Sequence, residues 1–445
     1  MAILTEEECR TLLKKALSYS KADECEINIS GSDAGNLRYA RNTVSTSGSI
    51  SQTSMVISSA YGKKLGIVTT NEYTDAAIEK AVRQSEELAN YAPENPEFVS
   101  FLGPQTYAPR SKAFDQATAD IDPKFRTDKV SETLQVAKDN KLIAAGYLQN
   151  SANFSAMMNS HGLFAYNIST DASFSITLRS EDGTGSGYST KDFNEVSKLD
   201  TLAFTKIAAQ KSVASKGAKA IEPGKYTVIL EPAAGIVLLE QLYGGLDARS
   251  ADEGRSFLSK PAGKTKLGEK LVDERVNIYS DPSNPELPTS SWAGDGRPQE
   301  KVSWFEKGVL KNLQYSRYWA QKQGVKAVPS PDSIIMDGTN TSLEDLIKGT
   351  EKGILVTRMW YIRPVDPQTL LFTGLTRDGT FYIENGKIKF PIKNMRFNES
   401  PVIMLNNLDA LGKPERAVSG ESFSSALIPP MRIRDFTFTS LSDAV

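Results

Sequence analysis

"GKYTVILEPAAGIVLLEQLYGGL", residues 224–246, decides how the second half of the chain is built. "KYTVIL" reads as a strand, and Pro232 follows it at a position that suits the first turn of a helix. The helix continues through "AAGIVLLEQLYGG" as an amphipathic segment with Ile236, Leu239 and Tyr243 turned to a core. Short strands with explicit turn chemistry come next. "FYIENGKIKFPI" (381–392) sets Asn385-Gly386 between two alternating runs, a strong hairpin signal. "WFEKGVLKNLQY" (304–315) reads as a second hairpin and leads into a short helix, "SRYWAQKQG" (316–324).

The first half has a different texture. In "TEEECRTLLKKALSY" (5–19), Thr5 and Glu8 have capping-box spacing, and Leu12, Leu13, Ala16 and Leu17 share one helical face. "ECEINIS" (24–30) alternates Cys25, Ile27 and Ile29 as a half-buried strand, and polar, Ser-rich strands run on to Asn71, turning at "YGKKLG". Thr74 caps a helix whose stripe is Ile78, Ala81, Val82, Leu88 and Ala89. After a Pro- and Asn-bearing connection (92–109) the order recurs: a helix at 123–140, strands through 141–180, and a helical stretch at 199–217 ending at Gly217. The expected fold is α+β. Helix-flanked α/β layers, with a possible two-fold helix–strands–helix order, occupy 1–220, and a β-rich domain follows over 221–445, the chain dividing near 217–224.

Composition closes off several function classes. Fifty-two Lys and Arg stand against 54 Asp and Glu, and no long basic run occurs, so no nucleic-acid footprint is visible. No stretch approaches the ~20 apolar residues of a membrane span. The opening "MAILTEEECRTLLKKAL" has no apolar signal-peptide core. Cys9 and Cys25 are the only cysteines, too few for a disulfide framework, and read as free core thiols in a reducing, cytoplasmic compartment.

His161 is the only histidine, so one subunit cannot assemble a zinc site from two or three histidines. It sits in "MMNSHGLF", where Asn-Ser-His-Gly is turn chemistry and histidine tolerates an unusual backbone angle. "DGTGSGYST" (182–190) is Gly-rich but lacks the lysine of a phosphate loop. Glu240, Asp247, Asp252 and Glu253 cluster in sequence and could supply hard oxygen ligands, but their spacing matches no calcium loop, and a solvated face is the simpler reading. Asp378 and Glu384 read as a turn former and an exposed strand residue.

Four stretches carry a family resemblance: residues 224–246, "RSFLSKPAGKTKLGEKL" (255–271), "WFEKGVLKNLQYSRYWAQKQG" (304–324) and "GTFYIENGKIKFPIKNMRFNES" (379–400). Together they resemble the TldD/PmbA family, bacterial and archaeal proteins once described as modulators of DNA gyrase. The order of elements in the first half fits as well, so the likeness spans nearly the whole chain.

The resemblance implies a site and a role. In the TldD-like branch the helix carries His-Glu-x-x-x-His and a distant cysteine completes a zinc site. The PmbA/TldE-like branch lacks the motif and pairs with the first branch in a heterodimeric protease that takes in peptides. In this chain Glu240 falls at the first histidine, Gln241 at the glutamate that activates water, and Gly245 at the second histidine, with no cysteine in the second half. The resemblance thus implies a PmbA/TldE-like subunit without catalytic or metal residues of its own and inactive alone. Its partner would be a zinc-bearing TldD-like homologue, its substrates peptides or unfolded segments, and a homodimer is possible without that partner. The alternatives are a self-contained metallopeptidase with an unrecognised site, and a binding protein that modulates DNA gyrase.

Overall fold

A computed structural model of the chain describes residues 3–109, 112–422 and 424–442. Mixed content, 25% helical and 40% strand, makes it α+β. The first half is built on one six-stranded antiparallel sheet. Two long hairpins, Glu24–Ala40 with Thr43–Tyr61 and Leu142–Asn159 with Phe164–Ser180, meet through their first strands. Ile27 thus lies opposite Met158, and Leu37 opposite Leu148. Each hairpin gains one short outer strand, Lys64–Thr70 on one side and Ser186–Phe193 on the other. The helix–strands–helix order met twice in the sequence forms two units laid edge to edge in one sheet.

Helices Glu6–Ser18, Asp75–Tyr91, Pro123–Asp139 and Thr201–Ala214 cover the face that carries Ile27, Ile29, Leu37 and Tyr39. Thr5 and Glu8 close the expected capping box, and Thr74 caps the second helix through the Ala77 N–H. One stripe residue is misassigned by the sequence: Leu88 is 50% exposed, and Ser85 and Glu86 are buried in its stead. Gly66 lies under this helix, where an added Cβ would stand 2.1 Å from the Ser85 carbonyl. The contact is so close that only short or hydrogen-bonded side chains fit there; Ser85 shares a 2.7 Å hydrogen bond with Ser59.

The second half contains a nine-stranded and a further six-stranded sheet, and shares no strand with the first. Gly224–Leu230 lies inside the larger sheet, parallel to Lys352–Val356 and antiparallel to Met431–Leu441. Asn385 and Gly386 take φ 51° and 70°, the paired positive angles of a type I′ hairpin turn, and Lys307-Gly308 repeats the pattern at 48° and 75°. Among the described residues no helix is long and apolar enough to cross a membrane.

Buried charges tie the halves together. The Arg416 guanidinium donates to both Asp192 oxygens, at 3.2 and 2.8 Å, and to Asn194 at 2.9 Å, while the Ser425 hydroxyl donates to Asp192 at 2.6 Å. Asp171 faces the same group; burial, and next the Asp192 charge, push its carboxyl up to about 7. Asp378 is a turn former, with φ 54°, but its side chain is fully buried. It accepts 2.5 Å hydrogen bonds from Ser186 across the junction and from Arg358. The sequence motif "TRDGT" carries no sign of that burial.

Candidate functional site

The strand Gly224–Leu230 delivers the chain to Glu231, whose extended backbone precedes Pro232 and the helix Pro232–Gly244. Glu231 leaves the helix start uncapped by its side chain and pairs instead with Lys211 Nζ of the first half at 2.6 Å. The helix is not amphipathic. Val237, Leu238 and Leu242 are buried along with Ile236, Leu239 and Tyr243, so apolar contact surrounds it. That is the pattern of a core helix, which the expected one-sided stripe understated. Gly235 lies against Met431, whose methyl would be 2.5 Å from an added Cβ, so the helix rests closely on the sheet.

Only the last turn turns polar. Glu240 and Gln241 are half-buried and Gly244 is exposed. A loop from the far end of the chain meets this tip. The Ser422 hydroxyl donates to Glu240 Oε1 at 2.5 Å, Ser424 donates to the same oxygen, and the two serines lie 2.8 Å apart. Ser419 Oγ accepts from the N–H groups of Glu421 and Ser422, which shapes the loop. Glu421 in turn accepts from the Tyr361 N–H at 2.6 Å. Tyr361 sits in the bulge between Trp360 and Arg363 with φ 59°, a left-handed conformation that costs an aromatic residue about 1–3 kcal/mol and turns its ring out of the strand. The Arg363 guanidinium lies 4.2 Å over that ring.

Gly245 ends the helix at φ −83°, an angle any residue adopts. Space is what it lacks. An added Cβ would be 2.8 Å from Phe257 Cε1 and 3.3 Å from Leu370 Cδ1. A histidine there would have to displace a packed phenylalanine ring.

The donor set at the tip is one carboxylate, two serine hydroxyls and a neutral amide. Zinc in a hydrolytic site takes about three nitrogen, sulfur or carboxylate ligands with a base beside its water, and this set does not fit it. Among the described residues no three His, Cys, Asp or Glu side chains come together. Cys9 and Cys25 are unpaired and buried in the first half, and burial pushes the Cys9 thiol up to about 12. His161 lies in a turn where Gly162, at φ 88°, takes the unusual angle expected of the histidine. Its Nδ1 is 2.9 Å from the Phe101 carbonyl and its Nε2 is 3.7 Å from Glu24.

The other acids near the helix disperse. Asp247 caps Ala248–Asp252 through the Ser250 N–H, Asp252 accepts from Trp319 Nε1 at 2.7 Å, and Glu253 pairs with Arg249 and Arg255. Glu384 lies 3.7 Å from Lys389 on the facing strand. "DGTGSGYST" runs from a hairpin turn into the strand Ser186–Phe193, where Gly187 lets the helix Thr201–Ala214 approach, its missing Cβ standing 2.1 Å from the Ala208 carbonyl. The serines that meet Glu240 were passed over in the sequence; the run "SGESFSS" (419–425) was their only signal.

The chain matches three family models in sequence order: PmbA/TldA metallopeptidase domain 1 over 25–89, the central domain over 117–216 and the C-terminal domain over 223–440. The chain belongs to the PmbA/TldD family. It is 21% identical to the metalloprotease PmbA of Escherichia coli O157:H7, over 97% of this chain and 96% of that one. Its fold is similar to that of TldE from Thermococcus kodakarensis (TM-score 0.87, 20% identity, 97% and 99% of the two chains). A Bacteroides thetaiotaomicron protein, described as a candidate modulator of DNA gyrase, matches with a TM-score of 0.85 at 23% identity over 99% and 100% of the chains.

Proposed function

We propose that this chain is the non-catalytic, PmbA/TldE-like subunit of a two-chain peptidase, cytoplasmic, in which a TldD-like homologue carries the zinc and peptides or unfolded segments are the substrates. The observation that carries this reading is the helix tip. Gln241 is an amide where a base would be needed, Phe257 and Leu370 fill the space beside Gly245, and two serines occupy the Glu240 carboxylate. The buried unpaired thiols support a reducing compartment.

The test is metal analysis of the pure chain beside an assay on an unstructured peptide. The expected result is substoichiometric zinc and no cleavage, with activity appearing when a zinc-bearing TldD-like partner is added. About one zinc per chain with chelator-sensitive cleavage would overturn the proposal in favour of a self-contained metallopeptidase. The triple variant Glu240→His, Gln241→Glu, Gly245→His is expected to remain at least ~100-fold below a working enzyme, because the third ligand and its supporting contacts are missing.

A further inference from the structure

The helices of the first half pack on the sheet face that carries Tyr39. Side chains alternate between faces along a strand, so the exposed Arg38 and Ala40 belong to the opposite face. On that face, where Arg358 of the second half reaches the sheet, lies a cleft of about 340 Å³ that has no part in the helix-tip site.

The strand register gives the cleft its shape. Ala40 lies opposite Ala145, Ala145 opposite Thr177, and Thr177 opposite Tyr188. The cleft therefore crosses four strands over three short side chains and stops at a tyrosine. One row along the strands, Arg38 lies opposite Tyr147, and the two form a side wall. With adjacent strands about 4.8 Å apart, Arg38 and Tyr188 stand roughly 14 Å from each other across the sheet.

Both rings are held in place. The Tyr147 hydroxyl donates to Gln149 Oε1 at 2.7 Å. The Tyr188 ring carries the Arg358 guanidinium at 3.7 Å, and Arg358 is itself gripped by Asp378. Behind the floor the Tyr39 hydroxyl donates to the Ser175 carbonyl at 3.3 Å. Among the described residues neither Tyr147 nor Tyr188 packs against another aromatic ring. Arg38 forms no ion pair among them, and its guanidinium stands 6.0 Å from the centre of the Tyr147 ring.

The cleft thus offers aromatic surface at one end, a single cation at the other and a short, uncharged floor between. Rings prefer the edge or offset face of another ring, and a guanidinium holds a carboxylate by charge-assisted hydrogen bonds. A peptide that ends in Phe, Tyr or Trp carries both groups on one residue. The N–H groups of the inner floor strands are spent in the sheet ladder, so no main-chain cradle for a phosphate is present there. We propose that this cleft binds the C-terminal residue of a peptide ending in an aromatic side chain, with the ring between Tyr147 and Tyr188 and the terminal carboxylate on Arg38. The choice of a peptide rests on the reading of the chain as a peptidase subunit; the preference for an aromatic carboxylate rests on the cleft alone.

Calorimetry of the isolated full-length chain with N-acetyl-Gly-Gly-Phe should show one saturable site with Kd of ~1 mM or tighter. Replacing the terminal Phe by Ala, or the carboxylate by an amide, should each weaken binding at least ~5-fold. Arg38→Gln, at an exposed position, should abolish the difference between acid and amide and keep that between Phe and Ala. Tyr147→Leu should do the reverse. No saturable binding at ~10 mM peptide, equal affinity for the three peptides, or a preference untouched by its variant would overturn the proposal. Tighter binding of AMP than of the peptide would overturn the ligand class. Neither zinc nor a second chain enters these measurements, so a chain that binds the peptide but supports no cleavage beside a TldD-like partner would refute the peptidase reading and leave the cleft standing.

Discussion

Asp192 and Glu240 are both carboxylates held by serine hydroxyls, and they do different things. Asp192 is buried at the junction of the two halves, where Arg416 grips both its oxygens and Ser425 completes the shell. Glu240 is half-buried at the end of a core helix; two serines hold one oxygen, and it forms no ion pair among the described residues. The first arrangement cannot lose a member without leaving a charge in a place that water does not reach. The second can, because solvent stands ready to replace what is removed. The difference separates a group that the fold requires from a group whose identity the fold leaves open, and position 240 is where the family resemblance placed a metal ligand.

The strongest way to break this contrast is Arg416→Ala. It strands Asp192 without its cation and should cost about 3–5 kcal/mol, read as a lowered denaturant midpoint. A loss under ~1 kcal/mol would mean that the junction hydrates freely and that the two carboxylates are alike.

A smaller effect should follow pH. Asp171 titrates near 3.8 when unfolded and about 7 in the fold, so between those values the native chain holds a proton that the unfolded chain has released. Stability should therefore fall as pH rises from about 4 to 7 and level off above that. Asp171→Asn should flatten the profile. A profile unchanged by that substitution would remove Asp171 from the junction's electrostatics.

The smallest effect should come from Glu240→Gln. The amide oxygen can still accept from both serines, and unfolding free energy should stay within ~0.5 kcal/mol of the parent. A loss above ~1 kcal/mol would put Glu240 in the same class as Asp192.

These contrasts also mark what the sequence could and could not disclose. Local rules were readable: the Thr5–Glu8 capping box, the Asn385-Gly386 turn and the strand-to-helix step at Pro232 are all written within a few residues. The Arg416–Asp192 grip joins positions 224 residues apart, and no local pattern announces it. Leu88 fitted a helical stripe yet faces water, because the close approach at Gly66 selects small and hydrogen-bonding side chains for the buried face. At the candidate site the absences at 240, 241 and 245 were legible as residue types. The reason glycine stands at 245 was not, since it lies in the distant side chains of Phe257 and Leu370.

The order in which the large N-terminal sheet is assembled has a consequence for synthesis of the chain. Its central contact joins Glu26 to Asn159, while both flanking hairpins close over short turns. The first three-stranded unit can form as soon as residue 70 has left the ribosome, but its inner strand then waits for about ninety further residues before its lasting neighbour exists. At roughly 5–20 residues per second, that wait is on the order of five to twenty seconds. During it the nascent sheet has two open margins rather than one, the outer strand Lys64–Thr70 and the inner strand Glu24–Ala40. Molecular chaperones that shield nascent strands would find their most exposed client surface in this interval, before any of the C-terminal half has been made.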